Sequence, residues 1–497
     1  MFRLSWHSLT AAMAHARPRT ATAGNLHAVQ GISVESVDQP TSVDVLQTTP
    51  QDLDALQVSH TRFMEHVQQG GKLSVIYQRG QQGILITATA DDLPAILVQL
   101  RLLRRTRSTL PVEIFLLSQD DYDAKICQET LPKLDAHCAI LEEYMDSAPL
   151  PRMPQSRRER RIQPHEPLHK LLALFFCKFE DVLLLDPATL VYNNPDIMLK
   201  EEPFLSTGML LWPDFWASTV SPKLYKVQQS PEEKPNRRDN IRTVDMGQMV
   251  ISKSHHSATL LLSIYYTYFG PYLYESLQQQ STMGERGSQA IKSAARYLEA
   301  PYYMMKRYVE AVGYPDMDTP NKDFHGVAML QSFASDDFHR VPKDRQRPLF
   351  VRANNPLLHP AFIMDKGVTV FRNVPAPAKP RPEKAVEATL PVGGAPGAKM
   401  VKIKGASMAS IPDEAPVPQD QGVHHRMWEW FGGRYASNGW RDPDPERAVW
   451  EEMALVACRD YVHFRVWPVA DEQGAQLTCD RINYHRGQRG WKTFFVL

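Results

Sequence analysis

The chain has 497 residues, and 56 lysines and arginines balance 56 aspartates and glutamates, so its formal net charge is zero. Hydrophobic residues make up 43% and charged residues 23% of the chain, as in ordinary soluble globular proteins. The balanced charge excludes the basic excess of a nucleic-acid-binding protein, so we expect no nucleic-acid partner. No segment approaches the ~20 apolar residues of a membrane-spanning helix. The length predicts roughly two to four domains.

Residues 1–55 are predicted to form a disordered leader or stem, with order beginning in the helical pattern from Leu53 to Val67. The start of the chain is rich in Arg, Ser, Thr and Ala, and no acidic residue precedes Glu35. This composition is weakly typical of an organellar transit peptide. The alternatives are an unstructured leader and a gene model that lacks its first exon.

The segment that follows alternates between strand and helix patterns. Apolar residues recur at helical spacing after the Asp91–Asp92 turn, and apolar runs typical of buried strands flank that helix. The predicted elements are residues 84–88 (strand), 93–103 (helix), 112–117 (strand), 122–137 (helix), 168–178 (helix) and 182–185 (strand). This order predicts an α/β fold with a mostly parallel sheet and helices on both faces.

Asp186 follows the apolar run Val182–Leu185 without a spacer. Such a run suits a strand buried on both faces, as in a parallel sheet. Ligands of open α/β sheets bind beyond the carboxyl ends of the strands. Asp186 is therefore expected where a nucleotide and its metal would lie. The alternative is an aspartate that only caps the next turn.

The second half of the chain shows fewer clear elements. Residues 249–252 predict a short strand before a long apolar helix, and residues 289–313 predict another helix. Residues 373–423 are rich in Pro, Ala, Gly and Lys, which favours a linker or inserted loop. Six tryptophans in residues 424–497 predict an ordered segment that packs on the main domain, residues 56–372.

Residues 152–165 contain a run of four arginines. We expect either a solvated loop or a mobile loop that approaches a diphosphate.

The five cysteines show no zinc-ligand spacing. Cys127 is near enough in sequence to pair with Cys138, and Cys458 with Cys479, which would leave Cys177 free. Alternatively all five remain thiols, because disulfides require an oxidising compartment.

Four segments together resemble the fungal α-mannosyltransferases of the Mnn type, and most of all their branch-initiating α-1,2 subgroup. The segments are GILITATADDLPAILVQLRLLRRTRSTLPVEIFLL, LHKLLALFFCKFEDVLLLD, EEPFLSTGMLLWPDFW and VDMGQMVISKSHHSATLLLSIYY. The resemblance covers residues from about His60 to about Pro360. It implies a GT-A-like fold, a GDP-mannose donor and a mannose-containing acceptor in N-glycans or cell-wall mannan. It also implies Mn²⁺, retention of the α configuration, and a Golgi lumenal address behind a membrane anchor.

The resemblance further implies a changed metal site. The family holds its cation with Asp-x-Asp, but Asp186-Pro187-Ala188 keeps only the first acid. The family commonly has a histidine where this chain has Arg352, and an acidic segment where it has Gly287–Gln289. A cation neutralises the departing diphosphate, and an arginine can also grip that group by its fork geometry. We therefore expect Mn²⁺ or Mg²⁺ to bind weakly at Asp186 or to be dispensable, with Arg352 in its place.

The same resemblance assigns roles to individual residues. The predicted donor-binding residues are Thr87, Lys170, Asp186 and Arg352. The predicted catalytic residues are Asp245 and Asp214, and the predicted acceptor-binding residues are Trp212, Trp216 and His256. The structural alternatives are a surface lysine at 170, turn or capping acids at 245 and 214, an aromatic corner around Trp212, and a capping or solvated histidine at 256.

Three hypotheses follow from the sequence. The first is a retaining mannosyltransferase that uses GDP-mannose. The second is a catalytically degenerate paralogue that acts as a sugar-binding or scaffolding subunit of a Golgi mannosyltransferase complex. The third, supported only by the leader, is a soluble organellar α/β protein unrelated to glycosylation.

Overall fold

The computed structural model describes part of the chain, and all structural statements concern that part. The described residues are 2–19, 44, 46, 48–69, 73–145, 148, 150, 166–231, 242–270, 273–280, 287–315, 324–353, 358–360, 363, 389–391, 400–402, 428, 430–431, 444–459 and 472–488. The arginine run of residues 152–165 and most of the predicted linker lie outside them.

The described residues form an α/β fold. Its strands are β1 (Gln78–Ala88), β2 (Val112–Leu116), β3 (Ala136–Ile140), β4 (Phe179–Leu185), β5 (Thr189–Val191), β6 (Met209–Ala217), β7 (Arg242–Ser252), β8 (Tyr303–Met304), β9 (Glu310–Pro315), β10 (Phe324–Ser332), β11 (Pro348–Ala353), β12 (Thr389–Pro391), β13 (Met400–Lys402) and β14 (Trp430–Phe431). Its α-helices are α1 (Phe2–His15), α2 (Pro50–Gln68), α3 (Leu93–Arg105), α4 (Leu141–Met145), α5 (Glu166–Phe176), α6 (Phe204–Thr207), α7 (Pro222–Gln228), α8 (Ser257–Tyr268), α9 (Tyr274–Gln278), α10 (Gln289–Tyr297), α11 (Ala334–Phe338), α12 (Pro445–Cys458) and α13 (Glu472–Gln488).

The central sheet has the strand order β3-β2-β1-β4-β7-β6-β8. Strand β7 runs antiparallel to its neighbours β4 and β6, and the other adjacent pairs are parallel. The carboxyl ends of β1 and β4 therefore lie at one edge, in the register Ile86 opposite Leu185. This sheet confirms the predicted α/β class, and β7 includes the predicted strand 249–252.

Strand β4 is buried on both faces, as its apolar run predicts. Val182 and Leu184 belong to a core with helices α5, α8 and α10, whereas Leu183 and Leu185 belong to a second core with helices α3 and α12. Successive side chains of a strand point to opposite faces, so the four apolar residues pack alternately into two layers. Helices thus cover both faces of the sheet.

A second, antiparallel sheet is joined to the first at Asp186. Its order is β14-β9-β10-β11-β5. Strand β5 begins at Thr189, three residues after Asp186, and Arg352 of β11 lies opposite Thr189. The short β4–β5 turn therefore brings the two sheets, and these two charged residues, to the same place.

The predicted disordered leader contains an ordered helix, which corrects that prediction for residues 2–15. Trp6 of α1 is fully buried, lies 5.4 Å from the Phe176 ring, and donates its indole N–H to the Ala148 carbonyl at 2.8 Å. The apolar positions Leu9 and Met13 are also fully buried. The missed signal is their helical spacing after Trp6.

One predicted helix is wrong in type and extent. Residues 122–137 form a π-helical turn (Lys125–Thr130), a 3₁₀ turn (Leu131–Leu134) and the start of β3. Asp135 adopts a left-handed conformation (φ 50°), which ends the helical path before the strand. Residues 289–313 contain the expected helix, α10, which ends at Tyr297 and is followed by strands β8 and β9.

The cysteines follow the paired alternative. Disulfides join Cys127 to Cys138 and Cys458 to Cys479, and Cys177 is free and buried. The first bridge ties the π-helical turn to strand β3, and the second ties α12 to α13. Disulfides of this kind form in oxidising compartments.

The C-terminal helices lie against the sheet domain. Arg105 at the end of α3 contacts Glu451 and Glu452 of α12, each at 3.1 Å. Trp450 of α12 is fully buried and stacks on His485 of α13 with 4.0 Å between ring centroids. The domain limits 56–372 and 424–497 stay predictions.

His60 of α2 predicts a pH dependence of stability. Burial lowers its pKa to about 4 from 6.5, while its Nε2 lies 2.8 Å from the Tyr266 hydroxyl. Below pH 6.5 His60 is protonated in the unfolded chain, whereas in the folded chain it stays neutral until about pH 4. The free energy of unfolding therefore falls as the pH drops from 6.5 to about 4. Between pH 7 and 4.5 the loss due to His60 should reach about 2 kcal/mol.

Urea unfolding of the wild type and of His60→Gln at several pH values checks this expectation. Glutamine keeps a hydrogen-bonding group but does not titrate, so the variant should lose less stability on acidification than the wild type. Equal losses in both proteins would refute the role given to His60.

Candidate active site

Asp186 is fixed at the carboxyl end of β4 by bonds to three neighbours. Its backbone N–H donates to the Gly247 carbonyl of β7 at 2.8 Å, and its own carbonyl accepts from the Gln99 amide at 2.8 Å. Its Oδ1 accepts from the Ala188 N–H at 3.0 Å, which closes a turn of the kind aspartates favour. The carboxylate therefore has a set direction, and both the predicted place and the capping alternative are realised.

Lys170 of α5 forms an ion pair with this carboxylate on its buried side. Its Nζ lies 3.1 Å from Asp186 Oδ2 and donates to the Met246 carbonyl at 3.3 Å. The side chain is 0% exposed. The buried ammonium balances the charge of Asp186. The predicted contact between Lys170 and the nucleotide phosphates stays a prediction.

Asp245 of β7 is also fully buried, and both of its carboxylate oxygens accept hydrogen bonds. Its Oδ1 accepts from the Gly247 N–H at 2.8 Å and from the Arg352 guanidinium at 2.5 Å, and its Oδ2 accepts from Gln248 at 2.8 Å. This carboxylate is 0% exposed, and its predicted contact with the acceptor stays a prediction. Asp245 is a positioning residue for Arg352.

Arg352 is the member of the charged group that reaches the surface most. Its side chain is 16% exposed, against 9% for Asp186 and 0% for Lys170 and Asp245. Its second terminal nitrogen lies 3.8 Å from Asp186 Oδ2. These residues, Lys170, Asp186, Asp245 and Arg352, form what we call the charge cluster.

Gly247 makes room for the guanidinium. A Cβ at this position would lie 2.6 Å from Arg352 Cδ and 2.7 Å from its Nε. Any larger residue would push the arginine out of its place. No local sequence pattern distinguishes this glycine from others, because the close approach arises from the packing of two sheets.

Thr87, predicted to bind the donor, and Trp212, predicted to bind the acceptor, lie in different surroundings. The pairing of Ile86 with Leu185 places Thr87 beside Asp186 at the sheet edge, where Thr87 is 5% exposed. Trp212 is fully buried, donates to the Ser332 carbonyl at 3.0 Å, and packs edge-on against Phe350. These contacts place the ring in the core, and the predicted contact of Trp212 with a sugar stays a prediction.

His256 precedes α8 and is also buried. Its Nε2 lies 2.8 Å from the Thr207 carbonyl and its Nδ1 3.3 Å from the Thr259 hydroxyl. Burial lowers the pKa of His256, so the ring is held neutral in a structural position. These contacts agree with the capping alternative, and the predicted acceptor contact of His256 stays a prediction.

Asp214 and Trp216 lie further along β6. Asp214 is 8% exposed, and its Oδ1 accepts from the Phe215 N–H at 2.6 Å, as in the capping alternative. Trp216 is partly exposed, and its carbonyl accepts from the Thr243 hydroxyl at 3.1 Å. The catalytic role of Asp214 and the sugar contact of Trp216 stay predictions.

The carboxylates of the charge cluster do not fit a divalent cation. Asp186 Oδ2 already faces an ammonium, and Asp245 already accepts three hydrogen bonds. Over the residues that the structure describes, no group of three or more His, Cys, Asp or Glu side chains could hold a metal ion. Mn²⁺ prefers several oxygen ligands, and the carboxylate of Asp186 alone does not supply them.

Gln99 holds the turn that carries Asp186, and sequence reasoning did not single it out. It lies fully buried in α3 and donates to the carbonyls of Asp186 and Thr189, the two ends of the β4–β5 turn. A glutamine on the apolar stripe of a buried helix was the available signal, because buried polar groups need partners.

Gln99→Met should destabilise the protein by about 1–3 kcal/mol, since two buried carbonyls lose their donor. It should also weaken donor binding, because the turn that carries Asp186 loosens. Urea unfolding and nucleotide titration measure the two effects. Gln82→Met, which removes one bond to Asp181 at the partly exposed end of β1, is the matched control. Equal effects of the two substitutions would contradict the role given to Gln99.

Comparison with known proteins decides the family. Residues 81–332, just over half of the chain, match the profile of a family described as "Mannosyltransferase putative". The chain belongs to this mannosyltransferase family. Of the charge cluster, Lys170, Asp186 and Asp245 lie within the matched residues, and Arg352 lies after them.

Fungal proteins are among the relatives of this chain. Alpha-1,2-mannosyltransferase MNN23 of Candida albicans is 30% identical over 292 residues, which covers 52% of this chain and 46% of that protein. Alpha-1,2-mannosyltransferase MNN2 of Saccharomyces cerevisiae is 28% identical over 326 residues, which covers 59% and 52%. The chain spans about half the length of the curated relatives it matches. These matches confirm the resemblance to the Mnn type.

Solved structures that resemble the chain are also glycosyltransferases. GlyE of Streptococcus pneumoniae has 12% identity and a TM-score of 0.27, with 45% of each chain covered. The galactosyltransferase LgtC has 12% identity and a TM-score of 0.26, with 42% of this chain and 69% of that chain covered. The fold assignment rests on the strand order, which shows an α/β fold with a mostly parallel central sheet. The GT-A-like type of this fold stays an expectation.

Within the described residues, no helix is long and apolar enough to cross a membrane.

Proposed function

We propose that this chain transfers mannose from GDP-mannose to a mannose hydroxyl of an N-glycan or cell-wall mannan, with retention of the α configuration. Membership of the mannosyltransferase family and the α-1,2-mannosyltransferase names of its relatives support the reaction and an α-1,2 linkage. One observation carries the proposal: an oriented carboxylate and a part-exposed guanidinium meet at the carboxyl edge of the sheet, where ligands of such folds bind.

The residues of the charge cluster suit the departure of a diphosphate. Negative charge grows on the leaving phosphate in the transition state, and Arg352 is the cation placed to stabilise it. Asp245 orients Arg352, and Lys170 balances Asp186 from the buried side. The acceptor hydroxyl attacks from the same face that the diphosphate leaves, and a leaving-phosphate oxygen takes its proton. Positioning and fixed charges supply most of the rate.

The two disulfides support work in an oxidising compartment, as expected for the Golgi lumen. Membrane attachment and membership of a Golgi mannosyltransferase complex are part of the same proposal. No nucleic-acid partner is proposed.

Incubation with GDP-mannose and a short α-mannoside tests the reaction. Mass spectrometry should show the acceptor gaining one hexose, and an α-1,2-specific mannosidase should remove it, which reports both linkage and retained configuration. GDP-glucose and UDP-glucose serve as mismatched donors. GDP binding without any transfer would favour the sugar-binding or scaffolding subunit instead, and neither binding nor transfer would overturn the proposal.

A further inference from the structure

The charge cluster is electrically balanced by its own side chains. Two carboxylates, Asp186 and Asp245, lie with two fixed cations, Lys170 and Arg352. Their formal charges sum to zero, the same sum that two carboxylates reach with one divalent cation. A cation added here would therefore raise the local charge by two and would have to displace Lys170 or Arg352 from its partner.

We propose that Arg352 does the work of a divalent cation at this site, so that the diphosphate of a sugar nucleotide is bound and neutralised without metal. This inference rests on the proposed function and deepens it. Arg352 is suited to the task because it stays protonated, and because a planar guanidinium matches two phosphate oxygens at once.

The position of Arg352 supports this assignment. It has the most exposed side chain of the cluster, and its terminal nitrogen lies 3.8 Å from Asp186 Oδ2 at the sheet edge. Asp245, fully buried and 107 residues away in sequence, accepts from the other terminal nitrogen. Gly247 leaves the space that the Cδ and Nε atoms occupy. The guanidinium is thus held on one side by a buried carboxylate and reaches the surface on the other.

The transfer step balances without metal. The bond between mannose C1 and the β-phosphate oxygen breaks, and its electron pair goes to the phosphate. The acceptor oxygen forms the new bond to C1, and its proton passes to the leaving phosphate. Arg352 keeps its own proton throughout and lowers the energy of the charged diphosphate.

Titration of the full chain with GDP, in EDTA and then in Mn²⁺, tests the inference by calorimetry. The wild type should bind GDP in EDTA with an affinity within about twofold of that in Mn²⁺. A tenfold or greater loss in EDTA that Mn²⁺ restores would overturn the inference and leave the proposed function standing. No GDP binding under either condition would overturn both.

Arg352→His sharpens the test, because imidazole gives up the fixed charge at neutral pH and is a metal ligand. In EDTA this variant should bind GDP at least tenfold more weakly than the wild type, and any recovery should require Mn²⁺. Binding as tight as that of the wild type in EDTA would contradict the inference. Gly247→Ala should also weaken GDP binding in EDTA, because its methyl group displaces the guanidinium of Arg352 while every charge is kept.

Discussion

Arg352→Ala is expected to lower the rate of mannosyl transfer about 10²–10³-fold, because the developing charge on the leaving diphosphate loses its preorganised partner. The loss should fall on kcat more than on KM, since the interaction strengthens as the bond to mannose C1 breaks. Transfer of mannose from GDP-mannose to a short α-mannoside, followed over a range of donor concentrations, measures both constants.

Arg352→Lys and Arg347→Ala are the controls for this prediction. Lysine keeps the charge but lacks the fork, so its rate should lie between those of the wild type and the alanine variant. Arg347 is also paired with an aspartate, Asp336, but lies five residues earlier, about 16 Å along an extended chain. Its replacement should leave kcat within about threefold of the wild-type value, as expected of a residue outside the site. An alanine variant at 352 with wild-type kcat would disprove the role given to Arg352.

Asp186→Asn is expected to cost about 3–5 kcal/mol of stability in addition to activity, because it leaves the ammonium of Lys170 buried without its counter-charge. The side chain of Lys170 is 0% exposed, so solvent cannot take over that role. Urea unfolding at neutral pH measures the loss.

A double substitution shows whether the loss of stability comes from the broken ion pair or from the substitution itself. Adding Lys170→Met to Asp186→Asn removes both charges, and the stability of the double variant should return to within about 1 kcal/mol of the wild type. Lys343→Met, which breaks the exposed pair with Glu310, should cost at most about 1 kcal/mol. A double variant no more stable than Asp186→Asn alone would show that the buried ion pair is not the cause.

The elements that sequence predicts best are those whose pattern is local. Strand β4 and helix α3 are confirmed. In both elements the spacing of the apolar residues is enough to predict which faces are buried. The place of Asp186 at the end of a buried strand follows from the same reasoning. In contrast, the helix predicted over residues 122–137 fails where Asp135 turns the chain into β3.

The partners within the site could not be read from the sequence. Arg352 and Asp245 meet across strands of two different sheets, and no local pattern records that contact. Burial of Lys170, Trp212 and His256 is equally a property of tertiary packing. Residue types that suit ligand contact also occur in the core, so burial cannot be predicted from residue type alone. The contacts of the charge cluster follow from the way the two sheets pack together.

A crystal structure of the chain with GDP tests the central claim most directly, namely that the charge cluster is the donor site. The account predicts a diphosphate oxygen within hydrogen-bond distance of the Arg352 guanidinium, at roughly 2.7–3.2 Å, beside the β4–β5 turn. A nucleotide bound elsewhere on the chain, with Arg352 still closed on Asp245 alone, would contradict it.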